Sequence, residues 1–322
     1  MSRIGIIINP RSQQNRRGLA GLRAILMRHS DAVHVEIESI EQIPQALADF
    51  AARGVELVGI SGGDGTVQAV ITALLNGRAF EQPPAVAVLP AGMTNLIAAN
   101  VGLQGRPDRA LSRLLQGGQA GAAPGRHRKQ SLLTLRRTPD AEPIHGLFLG
   151  TAVFHRMVMM AIAEVHPLGV ERHLAVAFSI ALSVLRLMSR YRRANSLWHG
   201  DRINLQIDDQ TPREREYLLF LATTLEHLIM GLIPFWGNGD GQLRYTSIDY
   251  PVERLGRALW PLIRGQPRSW FPAAGYHSGR VQECRLELTC PIVFDGEFIT
   301  PEPGTPVVVR SDRLIKLWLV KE

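Results

Sequence analysis

The first 120 residues alternate between two hydrophobic rhythms. "RIGIIINP" (3–10) is an unbroken apolar, β-branched run halted by Asn-Pro, as in a buried strand that ends in a loop. "GLAGLRAILMRH" (18–29) then spaces its apolar positions like a helix, and "AVHVEIESI" (32–40) alternates like a strand. "IPQALADFAARG" (43–54) predicts a second amphipathic helix closed by glycine. A strand at "VELVGIS" (55–61), a helix at "TVQAVITALLNG" (66–77) and a strand at "AVAVLPAG" (85–92) continue the series. Strands alternating with helices of about a dozen residues predict a parallel α/β sheet covered on both faces.

Beyond residue 120 the pattern changes. "GGQAGAAPGRHRKQ" (117–130) has the small, basic composition of a linker. After it the chain reads mostly as strands: "SLLTLRR", "HGLFLGTAVF", "RINLQID", "REYLLFLATT", "RVQECRLELT" and "PIVFDGEFI". One long helical stretch, 157–192, interrupts them. The expectation is an α/β domain over 1–125 and an all-β sandwich over 126–322, with a return of the last strand to the first domain left open.

Composition narrows the function. With 45% hydrophobic and 20% charged residues the chain is an ordinary folded protein. Its net charge of +7 suits either an acidic partner or a solvated basic surface. The basic residues form no stripe with stacking aromatics, and only 6% of residues are aromatic, which disfavours nucleic acid. Two cysteines, Cys284 and Cys290, match neither a zinc site nor a redox pair, and the short apolar N-terminus is too brief for a signal peptide, so a cytoplasmic location is expected. "LAVAFSIALSVLRLM" (174–188) is too short to span a bilayer and is flanked by arginines, which fits a core helix or one lying at a membrane surface.

The chemistry concentrates in glycine-rich turns. "SGGDGTV" (61–67) follows a strand and opens a helix, so the helix N-terminus and the permissive glycine backbone could hold phosphate. No lysine follows the glycines, which excludes a P-loop, and the dinucleotide spacing is absent. Asp64 in that turn either caps the helix or serves a ribose hydroxyl or Mg2+. Asn9 and Ser12 follow the first strand, and Gly92, Thr94 and Asn95 follow the fourth, so three polar loops converge at the carboxyl ends of a parallel sheet, where ligands bind.

"NPRS" (9–12), "GGDGTV" (62–67), "PAGMTNLIA" (90–98), "GDGQL" (239–243) and "FDGEF" (294–298) together resemble, in order, the motifs of the diacylglycerol kinase catalytic-domain family of lipid kinases. "GGDGT" is shared with nicotinamide nucleotide kinases, whereas the later "DGE" points to lipid kinases. The resemblance implies ATP held by Asn9, Gly62, Gly63, Asp64, Gly65, Thr66, Gly92, Thr94 and Asn95, with Ser39 near a nucleotide-contacting position. It implies Asp295 as general base with Glu297 assisting, and Mg2+ bound by Asp240 and the carbonyl of Gln242. If the strand pleat is regular, Asp295 and Glu297 share one face. The implied reaction transfers the γ-phosphate of ATP to a hydroxyl of diacylglycerol, phosphatidylglycerol or a sphingoid base at the inner membrane face. The alternatives are a nicotinamide nucleotide kinase and a non-catalytic nucleotide- or lipid-binding regulator. Departures from the family pattern are the order Gly92-Met93-Thr94-Asn95, the lack of acids at 236–239, and "GTAVF" where a glycine-rich approach is usual.

Overall fold

The computed structural model describes residues 3–92, 95–103, 105–119, 126–165, 198–228 and 231–319. The chain divides into two compact units, Met1–Leu132 with Ile144–Gly146 and Arg313–Glu322, and Leu133–Pro143 with Leu147–Asp312. The first is α/β with parallel strands and the second is β-rich, as the residue patterns predict.

In the first unit, strands β1 (Ile4–Ile8), β2 (Val33–Glu36), β3 (Leu57–Gly62) and β4 (Ala85–Pro90) are all parallel, in the order β2-β1-β3-β4. The connecting helices are α1 (Gln13–Met27), α2 (Ile43–Ala52), α3 (Asp64–Asn76), α4 (Leu96–Val101) and α5 (Pro107–Gln119). Every residue of β1, β3 and β4 is buried, which requires helices on both faces and explains why these strands read as continuous apolar runs. On one face Ile4, Ile6, Ile8, Ala87 and Leu89 pack with Leu22 and Leu26 of α1 and with Leu111, Leu114 and Leu115 of α5. Gly5 and Gly59 admit close neighbours, since a Cβ would lie 2.5 Å from the Phe50 ring and 2.6 Å from Ile6 respectively. Because β2 lies to one side of β1 and β3 to the other, the connection reverses direction at β1, and a crevice opens at the carboxyl ends of β1 and β3.

The segment expected as a linker is partly regular. Helix α5 runs to Gln119 and strand β5 (Arg126–Arg136) begins at Arg126, while 120–125 lies outside the described residues. A short strand, β6 (Ile144–Gly146), belongs to the first unit. Helix α5 itself was not evident in the apolar spacing.

The second unit is built from β7 (Phe148–Ala152), helix α6 (Val153–Val165), β8 (Asp201–Ile207), β9 (Arg213–Thr223), β10 (Leu243–Asp249), helix α7 (Leu255–Ile263), β11 (Tyr276–Val281), β12 (Glu283–Leu288), β13 (Ile292–Phe294) and β14 (Glu297–Ile299). Strand β15 (Val307–Leu319) begins in this unit. The pairings are antiparallel: β9 pairs with β8 along its first half and with β7 and β10 along its second. "HGLFLGTAVF", expected as one strand, is split: Ala152 has φ 60°, and α6 starts at the next residue. The helix expected over 157–192 is described only to Val165, and the apolar stretch 174–188 lies outside the described residues. Phe271, Tyr276 and Leu218 pack with Ala258 and Leu262 of α7 in an aromatic core.

Candidate functional site

Three loops meet at the crevice of the first unit, and polar side chains from the first turn of α1 hold them. Asn9, leaving β1, donates its backbone N–H to the Ser61 carbonyl at 2.9 Å and its Nδ2 to Thr66 Oγ1 at 2.9 Å. Asn15 is fully buried: its Nδ2 donates to the carbonyls of Asn9 and Ser61, and its Oδ1 accepts from Ser61 Oγ, all at 2.9 Å. Ser12 Oγ accepts the Gly63 N–H at 3.2 Å. Gln14 reaches the third loop, with its N–H on the Ala91 carbonyl at 3.1 Å and its Nε2 on the Gly92 carbonyl at 3.4 Å. A buried amide that satisfies several backbone groups at once fixes loop positions, because leaving those groups unpaired costs ~1–3 kcal/mol each. Asn15 and Gln14 were missed in the sequence. The available signal was Asn15 on the same helical stripe as Leu22 and Leu26, a polar residue where an apolar one belongs.

The glycines let the loops approach. A Cβ on Gly92 would lie 2.7 Å from the Gly63 Cα, and one on Gly62 would lie 2.5 Å from Thr66 Cβ. Asn95 adopts the left-handed region, φ 49°, and its Oδ1 accepts the Gly92 N–H at 2.7 Å. Helix α3 starts at Asp64 with Gly63 as its N-cap residue and no capping side chain, so its positive end faces the crevice. Asp64 does not cap its own helix. Its two oxygens accept the N–H groups of Leu96 (3.2 Å) and Ile97 (3.1 Å), which caps α4 from 32 residues away. The carboxylate expected at a ribose or metal thus ties the second loop to the third and takes part of its charge compensation from amides. Gly65 and Thr66 form the next positions of α3, with Thr66 buried. Thr94 lies outside the described residues.

Ser39 is exposed beyond β2, where its hydroxyl hydrogen-bonds the Glu41 carboxylate and holds that group below its usual range. That bond is local to the 3-10 turn Ile40–Gln42 that follows β2.

In the second unit, Asp295 and Gly296 turn the β13–β14 hairpin with φ 48° and 93°, as the Asp-Gly pair predicts for a tight turn of this hand. Asp295 is 2% exposed. Its carboxylate accepts the N–H groups of Leu147 (2.8 Å) and Phe148 (2.9 Å), and its own N–H donates to the Phe148 carbonyl at 3.0 Å. Glu297 is exposed at the start of β14. The expectation that the two acids share a strand face fails here, because Asp295 is a left-handed turn residue and the pleat does not run through it.

Asp240 and Gln242 are both exposed. The glycines around Asp240 have a steric cause: Cβ atoms on Gly237, Gly239 and Gly241 would lie within 2.0 Å of the carbonyl oxygens of Ser278, Arg280 and Val281. Alternate residues of 237–241 therefore press on the β11 backbone, leaving Asn238 and Asp240 outward. Among the described residues no three His, Cys, Asp or Glu side chains gather as a metal cluster. Asp240 alone is no cage, though Mg2+ that arrives on a polyphosphate needs only one or two protein carboxylates.

Residues 3–126 match the model of the diacylglycerol kinase catalytic domain. Proteins called "Probable lipid kinase YegS" from Salmonella heidelberg and Salmonella schwarzengrund are 34% identical over 113 residues, which is 35% of this chain. The match spans 37% of the length of those relatives. A solved diacylglycerol kinase from Bacillus anthracis superposes over 99% of this chain and 97% of its own, with a TM-score of 0.63 and 14% identity, a likeness of fold. Over residues 3–126, the chain is thus similar to the diacylglycerol kinase catalytic domain.

Proposed function

We propose that the protein transfers the γ-phosphate of ATP to a hydroxyl group of a lipid. The observation that carries this reading is the first-unit cradle, in which Asn9, Ser12, Asp64 and Asn95 bind three loops, two of them glycine-bearing, together around the start of α3, whose N-cap Gly63 has no capping side chain. Such a helix end attracts phosphate, and the glycines allow the backbone to approach it. With Asp64 turned to the amides of α4, its repulsion of a phosphate is reduced.

In the proposed step, the lipid oxygen forms a bond to the γ-phosphorus as the bond to the bridging oxygen of ADP breaks, and the hydroxyl proton passes to Asp295. Two amide donors fix the position of that carboxylate, and a loose transition state asks positioning of the nucleophile more than strong proton abstraction. Glu297, exposed beside the turn, would orient the acceptor. Bound Mg2+ would neutralise charge on the transferring phosphate, with Asp240 as the protein carboxylate.

The engagement of both Asp295 oxygens by amides also favours a second reading, a nucleotide-binding regulator without turnover. Incubation with γ-labelled ATP, Mg2+ and a total lipid extract, with NAD in a parallel tube, separates them. Label in a chloroform-soluble product is expected. Label on NAD would overturn the lipid reading, and ATP binding without any transfer would favour the regulator.

A further inference from the structure

A surface of the second unit combines exposed apolar groups with arginines. Arg257, Trp260 and Arg264 are spaced three and four residues apart along α7 and its end, on one side, while Ala258, Pro261 and Leu262 are buried on the other. Trp260 is 60% exposed, and the Arg264 guanidinium lies 4.2 Å from its ring centroid. Leu232, 37% exposed, adjoins the end of the helix: the N–H of the following residue, Ile233, donates to the Ile263 carbonyl at 2.9 Å. Exposed Arg254 and Arg268 flank the helix. Residues 251–270 hold these four arginines against a single acid, Glu253.

We propose that this face docks the protein on an anionic phospholipid surface, with Trp260 and Leu232 entering the headgroup layer and the arginines binding lipid phosphates. An indole ring is at its most stable at the headgroup level, where its apolar body and polar N–H are both accommodated. A guanidinium stacked on that ring stays planar and weakly hydrated, and it meets phosphate with a bidentate fork. Exposed Leu232 gains from a lipid layer and offers nothing to a nucleic acid, which decides between the two polyanions. This surface takes its purpose from the lipid-acceptor reading and rests on it for that; vesicle binding is measured without ATP or turnover, so each can fail alone.

The test is co-sedimentation of the full chain with phosphatidylcholine vesicles with and without phosphatidylglycerol. Binding should require phosphatidylglycerol and weaken as salt is raised. Arg257→Gln and Arg264→Gln should each lower partitioning about fivefold, the factor for one basic residue near an anionic surface. Trp260→Ala should lower it about tenfold and Trp260→Phe should recover most of that, because the ring area is what the layer receives. Arg16→Gln with Arg17→Gln, on α1 of the first unit, removes two charges elsewhere, one more than either α7 variant, and should still leave binding within about twofold. Unaltered melting temperatures are expected, since the substituted side chains are exposed. The proposal is overturned if the parent protein ignores phosphatidylglycerol, if the α7 variants bind like the parent, if the α1 pair loses as much, or if an RNA oligonucleotide and not the vesicles depends on these residues.

Discussion

Asp64-Gly65 in the first unit and Asp295-Gly296 in the second are the same dipeptide, and each aspartate accepts two backbone N–H groups from a distant part of the chain. Their settings differ. Asp64 is the first residue of a helix, partly exposed, and the amides it takes belong to the start of a second helix. Asp295 sits at positive φ in a hairpin, almost wholly buried, and its amides lie beside a strand edge. The comparison teaches that the dipeptide supplies an acceptor and a permissive backbone, whereas burial decides how much the fold depends on the pair. The donors are buried in both cases, but water reaches the partly exposed Asp64 side and can replace its carboxylate, whereas at Asp295 the two N–H groups would keep the full desolvation cost.

The most damaging way to break the comparison is therefore Asp295→Ala, which strands two buried N–H groups and should cost ~2–5 kcal/mol, read from urea unfolding. A loss under about 0.5 kcal/mol would mean that water or a shifted backbone replaces the carboxylate. Next comes Gly92→Ala. Its Cβ would meet the Gly63 backbone at 2.7 Å, so the loops must part, at ~1–3 kcal/mol and with at least about a tenfold loss of ATP affinity by calorimetry. An unaltered affinity would dissociate the cradle from nucleotide binding.

The first unit was largely legible because its signals are local. Continuous apolar runs gave β1, β3 and β4, and helical spacing gave α2 and α3 to within a few residues. The Asp-Gly turn of β13–β14 was legible for the same reason, since a two-residue hairpin carries its own residue preference. What stayed hidden depends on distant partners. The amides of Leu96 and Ile97 are 32 and 33 residues from Asp64, and those of Leu147 and Phe148 are 148 and 147 residues from Asp295, so no window on the sequence pairs them. Likewise the glycines of 237–241 read as ligand loops until the β11 backbone lying against them supplied a steric reason. Strand β10 and helices α5 and α7 escaped because their apolar positions are interrupted by charge or, in α7, by Pro261.

A smaller effect sharpens the comparison from the exposed side. Asp64→Ala removes the cap of a short helix and should cost ~1–2 kcal/mol, with faster amide exchange at Leu96 and Ile97. The cost should stay below that of Asp295→Ala; the reverse order would contradict the role given to burial.

The smallest effect is one of pH, at an aspartate whose partners are side chains in place of amides. Burial alone would raise the Asp249 carboxyl, but the His277 imidazole 3.7 Å away and a hydrogen bond from Arg215 at 2.8 Å outweigh it and hold the group below its ordinary value. A depressed carboxyl contributes stability that is present above its unfolded pKa and is lost as pH falls through the folded one. The parent should thus lose stability on acidification below the usual carboxylate range, and Asp249→Asn should lose less over the same window in urea titrations. Parallel curves for the two would remove this pair from the account.

The central claim is that nucleotide binding resides in the first-unit cradle and proton acceptance at Asp295. Asp295→Asn tests it most directly, because asparagine tolerates the left-handed turn and keeps one amide acceptor. ATP affinity and lipid phosphorylation should be measured on the same folded preparation. The account predicts ATP binding within about twofold of the parent and transfer reduced at least about a hundredfold; lipid phosphorylation at the parent rate would contradict it.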